Sequence, residues 1–270
     1  MVVRSALVAA SQSSAMKTAA TSTPLTKSVA RRFVAGESSL DAVQVAADLA
    51  SAGLHCTIEH LGPEVTDPAS ADAAVAAYLR LLEGLQAADL LDRSELSIKA
   101  SDLGLDLDGG AQIALANGRR IAQAAADLGT LVTFDMEAYQ TVDPTLALFE
   151  KLRSEFDQTG IVVQAYLRRT EVDCQRLAKT TARVRLVKGA FDESADVAFQ
   201  TSQEIDLSYV RSLKTLMAGT GIPLIATHDP RLIEIASALA VRTPRERSAY
   251  EFQMLYGVRP EEQKRLAALG

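Results

Sequence analysis

The segment RLVKGAF, residues 185–191, places two cations and a small Gly–Ala step at the end of an apolar β-type run. Arg185 and Lys188 supply positive charge directly before Gly189. Cations and exposed backbone N–H groups stabilise a phosphate or a developing negative charge, and glycine permits close approach of the backbone to a ligand. The segment therefore predicts an anion-binding site, although a strand that ends in solvated basic residues would give the same pattern.

Polar residues also follow five other β-type runs. They are Lys99, Ser101 and Asp102; Asp135 and Glu137; Gln164, Tyr166, Arg168 and Arg169; Thr227, His228 and Asp229; and Gln253 and Tyr256. Each has an ordinary structural interpretation, since Lys99 could pair with Asp135 and Gln164 could satisfy backbone groups. As a set, they predict a functional rim formed by a Lys, an Asp, a Gln, an Arg and a His on adjacent strands.

The elements that position these residues alternate along the chain. Seven β-type runs lie at 54–62, 95–101, 130–139, 160–169, 183–192, 222–230 and 249–257, with amphipathic helical stretches after them. Asp–Pro pairs at 67–68, 143–144 and 229–230 predict helix starts. This alternation predicts an α/β fold with a parallel sheet, and the number of units favours a distorted (β/α)8 TIM-type barrel. A doubly wound sheet is less favoured because no GxGxxG or GxxxxGK[ST] motif is present.

The domain prediction has two parts. Residues 1–36 are expected to form an N-terminal helical lead-in, and residues 37–270 a barrel domain with seven βα units. An eighth strand and helix are missing from this pattern, so we expect the chain to be a fragment of a longer protein.

Composition excludes several classes. The chain has 270 residues and a net charge of −6, which argues against nucleic-acid binding. No apolar run approaches the roughly 20 residues of a membrane span. The N-terminus faintly resembles a signal peptide, but its apolar part is short, and we favour a surface helix. Two isolated cysteines and three scattered histidines indicate neither disulfides nor a metal site, so a cytoplasmic location is predicted.

Six motifs in this order, SIKAS, TFDMEAY, VVQAYLRR, RLVKGAF, ATHDP and EFQMLYG, resemble the proline dehydrogenase family over residues 30–270. The resemblance extends to the barrel domain of proline utilization A, and the monofunctional bacterial branch is more similar. It implies FAD as cofactor, oxidation of L-proline to Δ1-pyrroline-5-carboxylate, and electron transfer to a quinone at the membrane surface. Peripheral contact with the inner membrane is then an option; the oligomeric state is unknown.

The resemblance also implies roles for individual residues. Arg185 matches the arginine beside flavin N5, and Asp135 matches an acidic residue of the active site; these two are the catalytic candidates. Substrate contacts are implied for Lys99, Asp135, Phe191 and Leu255. Cofactor contacts are implied for Met136, Gln164, Arg185, Val187, Lys188, Gly189, Ala190, Thr227 and His228.

Two departures from the family pattern concern the substrate side. Phe191 stands where the family usually has Tyr, and the eighth unit, which carries a pair of arginines and a Tyr, is missing. We therefore expect little proline oxidation and poor solubility from the isolated chain. Two other functions are open: a non-catalytic flavin-binding remnant, and a Schiff-base aldolase-type barrel that uses Lys99 or Lys188.

Overall fold

The computed structural model describes residues 33–243 and 245–270. The predicted helical lead-in therefore lies outside the described residues, except for residues 33–36, which are not helical. The described chain alternates strands and helices, as the sequence predicts. The strands are β1 Cys56–Glu59, β2 Ser94–Ile98, β3 Val132–Phe134, β4 Thr159–Gln164, β5 Arg183–Val187, β6 Ile222–Ala226 and β7 Glu251–Gln253.

A helix precedes β1, and one follows each strand. The helices are α1 Ser39–Ser51, α2 Pro68–Ala87, α3 Gly110–Asp127, α4 Val142–Glu155, α5 Thr170–Leu177, α6 Ser202–Ala218, α7 Pro230–Arg242 and α8 Pro260–Leu269. Short 3₁₀ turns occur at Ser101–Leu103, Tyr139–Thr141 and Arg247–Ala249. All seven predicted βα units are thus confirmed.

The strands form one parallel sheet in the order β1-β2-β3-β4-β5-β6-β7. The sheet is strongly curled, since Arg185 on β5 contacts Glu95 on β2 at 3.1 Å although two strands lie between them. Arg185 also reaches Gln253 on β7, at 2.7 Å. Side chains from three separated strands can meet only if they face a common interior. The sheet is therefore a curled half-barrel, and the predicted barrel class is confirmed.

Alternation along each strand separates two faces. On β2, Leu96 and Ile98 are fully buried in the apolar core, which includes helix residues such as Tyr78. Glu95 and Ser97, at the intervening positions, face the interior of the barrel, which we call the lumen. The Tyr78 hydroxyl donates to the Ser97 carbonyl at 2.9 Å, so α2 is also fixed to β2 by a polar contact.

Helix starts follow the predicted chemistry at two of three Asp–Pro pairs. Asp67 caps α2 and Asp229 caps α7, each followed by proline in the first turn. At the third pair the predicted helix is present, but α4 begins one residue earlier, at Val142, so Asp143 lies inside the first turn and is not the cap. The Asp143 carboxylate instead forms an ion pair with Arg169, with 2.7 Å between Oδ1 and Nη2. A carboxylate is favourable within the first turn as well as at the cap, since both positions face the positive end of the helix dipole.

Candidate functional site

Arg185 lies at the centre of the lumen and is 9% exposed. Its Nη1 atom donates to Ser97 Oγ at 2.8 Å and to Asp135 Oδ1 at 3.0 Å. Its Nε atom donates to Gln253 Oε1 at 2.7 Å, and its Nη2 atom donates to Glu95 Oε1 at 3.1 Å. These contacts fix the position and the plane of this guanidinium. The sequence predicted Arg185 at the end of a β-type run, but the structure places it in the middle of β5.

Asp135, directly after β3, is the carboxylate nearest to this guanidinium. Its second oxygen accepts from Ser97 Oγ at 2.7 Å. Burial raises the pKa of Asp135, and the charge of Arg185 opposes that shift. Arg185 is the ion-pair partner of this partly buried carboxylate.

Lys99, one residue beyond β2, forms its ion pair with Glu59 at the end of β1. The alternative pairing with Asp135 was therefore wrong. Burial alone would lower the pKa of Lys99, but the charge and hydrogen bond of Glu59 raise it above its ordinary value. Lys99 is thus a protonated cation at neutral pH, with about a third of its side chain exposed (33%).

Asp102 lies three residues further along, in the 3₁₀ turn. Burial raises the pKa of Asp102 to about 6; Lys99 opposes the shift, and the nearby carboxylates of Glu137 and Glu59 increase it. Its Oδ2 atom is buried and has no hydrogen-bond partner among the described residues. Asp102 therefore titrates closer to neutral pH than an unperturbed aspartate does.

Gln164 ends β4 and is 3% exposed. Its Nε2 atom donates to the Glu137 carbonyl at 2.7 Å, which fixes the orientation of the amide. The Glu137 side chain binds Ser101, with 2.6 Å between Oε1 and the hydroxyl. Asp135 and Glu137 therefore serve different partners. Met136, between them, is buried.

Lys188 follows β5 and contacts two carboxylates, Asp206 at 2.6 Å and Asp229 at 3.1 Å. Arg231 contacts the same two carboxylates, each at 2.9 Å. Hydrogen bonds from Arg231 and Lys188 hold the pKa of Asp229 well below its usual range. The charge of Lys188 is thus already balanced by acidic neighbours, so an anionic ligand would have to compete with them.

Gly189 has φ +107°, a backbone conformation that side chains disfavour. A Cβ atom built there would lie 2.0 Å from the Tyr166 ring. This close approach explains the glycine structurally, whether or not a ligand binds. Next to it, Val187 and Phe191 are partly buried against the core, whereas Ala190 is exposed.

The loop after β6 places Thr227 and His228 beside the loop after β7. His228 Nε2 accepts from the Leu255 backbone N–H at 2.8 Å, and Arg259 donates to the His228 carbonyl at 2.7 Å. Burial lowers the pKa of His228, and the charge of Arg259 lowers it further. The Leu255 side chain is 69% exposed. Thr227 is buried, and its hydroxyl accepts from the backbone N–H of Asp229.

The structure brings together Asp135 and Arg185, and it shows four further contacting residues, of which the sequence had named only Gln253, as a residue of the rim. Glu95, Ser97 and Gln253 hold Arg185, and Glu59 holds Lys99. One signal could have revealed Glu95, because a carboxylate inside a strand with buried neighbours requires an opposite charge. Within residues 33–243 and 245–270, no group of three or more His, Cys, Asp or Glu residues is placed to hold a metal ion. No helix in that part of the chain is long and apolar enough to cross a membrane.

A curled parallel barrel with charged groups at the carboxyl ends of its strands defines an enzyme-type α/β barrel. The model of the proline dehydrogenase family matches residues 42–270. Proline dehydrogenase 1 of Bacillus subtilis (strain 168) is 36% identical over 241 residues, which are 89% of this chain and 78% of the relative. Proline dehydrogenase of Deinococcus radiodurans is 35% identical over 245 residues, which are 90% of this chain and 78% of the relative. The chain belongs to the proline dehydrogenase family, a family of oxidoreductases.

Solved structures agree in fold. Proline utilization A from Bdellovibrio bacteriovorus, inactivated by N-propargylglycine, has a TM-score of 0.81 and 25% identity. The match covers 90% of this chain and 30% of that one, so the chain spans under a third of that protein. The D778Y mutant of proline utilization A from Bradyrhizobium japonicum has a TM-score of 0.71 and 22% identity. This match covers 87% of this chain and 27% of that one, and it shows the fold alone.

Proposed function

We propose that the chain oxidises L-proline to Δ1-pyrroline-5-carboxylate with FAD as the hydride acceptor, the first step of proline catabolism. Family membership supports oxidation of proline as the reaction. The observation that carries the cofactor assignment is Arg185, a guanidinium fixed in the lumen where negative charge can be stabilised. A quinone at the membrane surface as electron acceptor, a cytoplasmic location and residues 37–270 as the FAD-binding domain are parts of the same proposal.

Arg185 retains a hydrogen-bond donor that FAD could use. Arginine has five N–H groups, and four of those of Arg185 donate within the chain: one on Nε, two on Nη1 and one on Nη2. The remaining Nη2 hydrogen has no partner among the described residues and is available to a ligand. The residues that would hold the cofactor are Met136, Gln164, Arg185, Val187, Lys188, Gly189, Ala190, Thr227 and His228.

When bound, FAD would supply the acceptor for a hydride, that is, for one proton together with two electrons. Arg185 contributes fixed positive charge, which favours accumulation of negative charge beside it. Asp135 and Ser97 hold that guanidinium in place, so little reorganisation accompanies the reaction. Gln164 has its amide nitrogen committed to the Glu137 carbonyl, which leaves its amide oxygen to accept a bond from a ligand.

On the substrate side, Lys99 is the proposed partner of the proline carboxylate. Its raised pKa keeps it charged, and the bound carboxylate would share it with Glu59. Phe191 and Leu255 are proposed as apolar contacts to the ring. The C–H to be broken must be held against the acceptor, which requires contacts to both ends of this small substrate.

The aldolase alternative is less well supported. A Schiff base forms from a neutral amine, and catalytic lysines are therefore activated by a lowered pKa. The pKa of Lys99 moves in the opposite direction because of Glu59. Lys188 is held between Asp206 and Asp229.

The test is a visible spectrum of the purified chain with FAD, recorded before and after addition of L-proline in the absence of oxygen. The proposal expects a flavin spectrum that proline bleaches, and the low activity expected of the isolated chain makes this bleaching slow. A yellow protein that proline does not bleach would contradict it and indicate a non-catalytic flavin-binding remnant. A colourless protein that borohydride traps with a carbonyl substrate would indicate the aldolase. Near-normal turnover with a dye acceptor would overturn the separate expectation that the isolated chain has little activity.

Arg185→Gln sharpens this test. It removes the fixed charge but leaves a polar side chain, so we expect the rate of bleaching by proline to fall about 10²–10³-fold, as for other donors to developing negative charge. Arg119→Gln is the matched control, because Arg119 forms a bidentate ion pair with Glu155 on the exposed surface. A loss of less than fivefold in Arg185→Gln would remove Arg185 from the reaction.

A further inference from the structure

Arg185 is one of five side chains that form a closed ring of hydrogen bonds and ion pairs. Arg185 donates to Glu95 Oε1, and Arg183 donates to Glu95 Oε2 at 3.0 Å. Arg183 also contacts Glu251 at 3.6 Å. Glu251 accepts from Gln253 Nε2 at 2.7 Å, and Gln253 accepts from Arg185. The ring joins β2, β5 and β7 across the lumen.

Glu95 is the most constrained member of this ring. It is 6% exposed, and each of its carboxylate oxygens has a different arginine. Thr57 on β1 adds a hydroxyl donor to Oε1 at 2.7 Å. Removing one partner from a buried charge pair leaves the other charge uncompensated, so this arrangement strongly restricts both guanidiniums.

We propose that Glu95 is a positioning residue for the reaction: it orients the guanidinium of Arg185 and limits the positive charge that Arg185 presents to the flavin. The ring contains two arginines and two glutamates, so its formal charges cancel. Without Glu95, Arg183 and Arg185 would retain Glu251 and Asp135 as partners, and the lumen would be more positive by one charge. This inference rests on the proposed function only for its effect on flavin.

Glu95→Gln is the informative variant. A glutamine keeps the shape of the side chain but offers one oxygen and one NH₂ group, so it cannot accept from both arginines. One guanidinium must lose its contact, and the negative charge is removed. Glu251→Gln also removes one negative charge from the ring, but at a residue that contacts Arg183 and not Arg185. Glu155→Gln is the control outside the ring, because Glu155 pairs with Arg119 on the exposed surface.

The first measurement needs no cofactor. Phenylglyoxal modifies accessible guanidiniums, and the peptide that contains Arg185 can be followed by mass spectrometry in the apo protein. We expect modification of Arg185 to be at least fivefold faster in Glu95→Gln than in the wild type, and unchanged in Glu155→Gln. An unchanged rate at Arg185 in Glu95→Gln overturns the inference, whatever the flavin does.

The second measurement is the midpoint potential of bound FAD. A more positive lumen stabilises the anionic reduced form, so the potential should rise in Glu95→Gln. A tenfold change in the ratio of reduced to oxidised flavin corresponds to about 30 mV for a two-electron couple, and we expect at least that. Glu251→Gln should give less than a third of the shift; an equal shift would show that total lumen charge, and not Glu95, is responsible.

The two measurements also separate this inference from the proposed function. Faster modification of Arg185 in a protein that proline fails to bleach would support the positioning role and contradict proline oxidation. Glu95→Asp keeps both carboxylate oxygens and provides the second variant if Glu95→Gln does not fold. Because its side chain is shorter, Arg185 modification should again increase, whereas the flavin potential should stay nearer to that of the wild type.

Discussion

On its helix-facing side β2 presents Leu96 and Ile98, both fully buried among apolar neighbours, whereas on its lumen side it presents Glu95 and Ser97. The apolar face gains free energy from burial in rough proportion to area. The lumen face carries buried charges, whose desolvation offsets most of what their pairing gains. The comparison indicates that the outer face supplies most of the stability. A role in ligand binding for the lumen charges is part of the proposed function.

The largest effect is expected on the outer face. Phe134 on β3 has no exposed surface. Phe134→Ala should lower the free energy of unfolding by about 3–5 kcal/mol, because it removes apolar contacts and leaves a cavity. Urea denaturation of the apo protein measures this. Val241→Ala, at a side chain that is 88% exposed, is the control and should be nearly neutral. A cost below about 1 kcal/mol for Phe134→Ala would argue against the division between the two faces.

An intermediate effect is expected at the rim, where the backbone turns after β5. Gly189→Ala combines a positive φ with a clash against Tyr166, and should cost about 1–3 kcal/mol or more. Gly53→Ala separates these causes, since Gly53 has φ +76° but no atom lies within 4 Å of the position that its Cβ would take. We expect Gly53→Ala to cost about 1 kcal/mol or less in the same denaturation experiment. Equal costs at the two sites would show that the Tyr166 contact is unimportant.

The sequence predicted the elements well because their signals are local. Alternation of helical and β-type segments located all seven βα units, and Asp67 and Asp229 indicated their helices through cap chemistry. Asp143 misled because an acidic residue suits the first turn as well as the cap. Arg185 was predicted at the end of its β-type run, whereas the structure places it in the middle of β5, two residues before the last residue of the strand.

The partners of the charged residues were not predictable. Arg185 and Glu95 are 90 residues apart in sequence and meet only because the sheet curls. Lys99 pairs with Glu59 because strand register aligns Glu59 with Ser97, two residues before Lys99. Neither the curl nor the register is encoded in a short motif. What the sequence does show is that buried charges of both signs occur on strands, so that pairs must form.

The smallest effect is expected at Asp102, a carboxylate outside the network of ion pairs in the lumen. The pKa of Asp102 is raised to about 6 by burial, against 3.8 for an unperturbed Asp. Between these two values the folded state binds the proton more tightly than the unfolded chain, so stability falls as pH rises from about 4 to about 6. Above pH 6 the full cost of an ionised Asp102 is present. Below pH 3.8 both states are protonated and the cost disappears.

Asp102→Asn should therefore stabilise the apo protein by about 1–2 kcal/mol at pH 8, allowing for the solvent that reaches part of this side chain, and hardly at all at pH 4. Urea denaturation at the two pH values measures the difference. Asp106→Asn, on an exposed residue of the same loop, is the control and should show no pH-dependent gain. An equal gain in stability at both pH values would mean that asparagine acts through packing and that the pKa of Asp102 is not raised. Neutralising a carboxylate that contacts Arg185 should instead destabilise the folded protein, because the guanidinium would then be a buried charge without its partner.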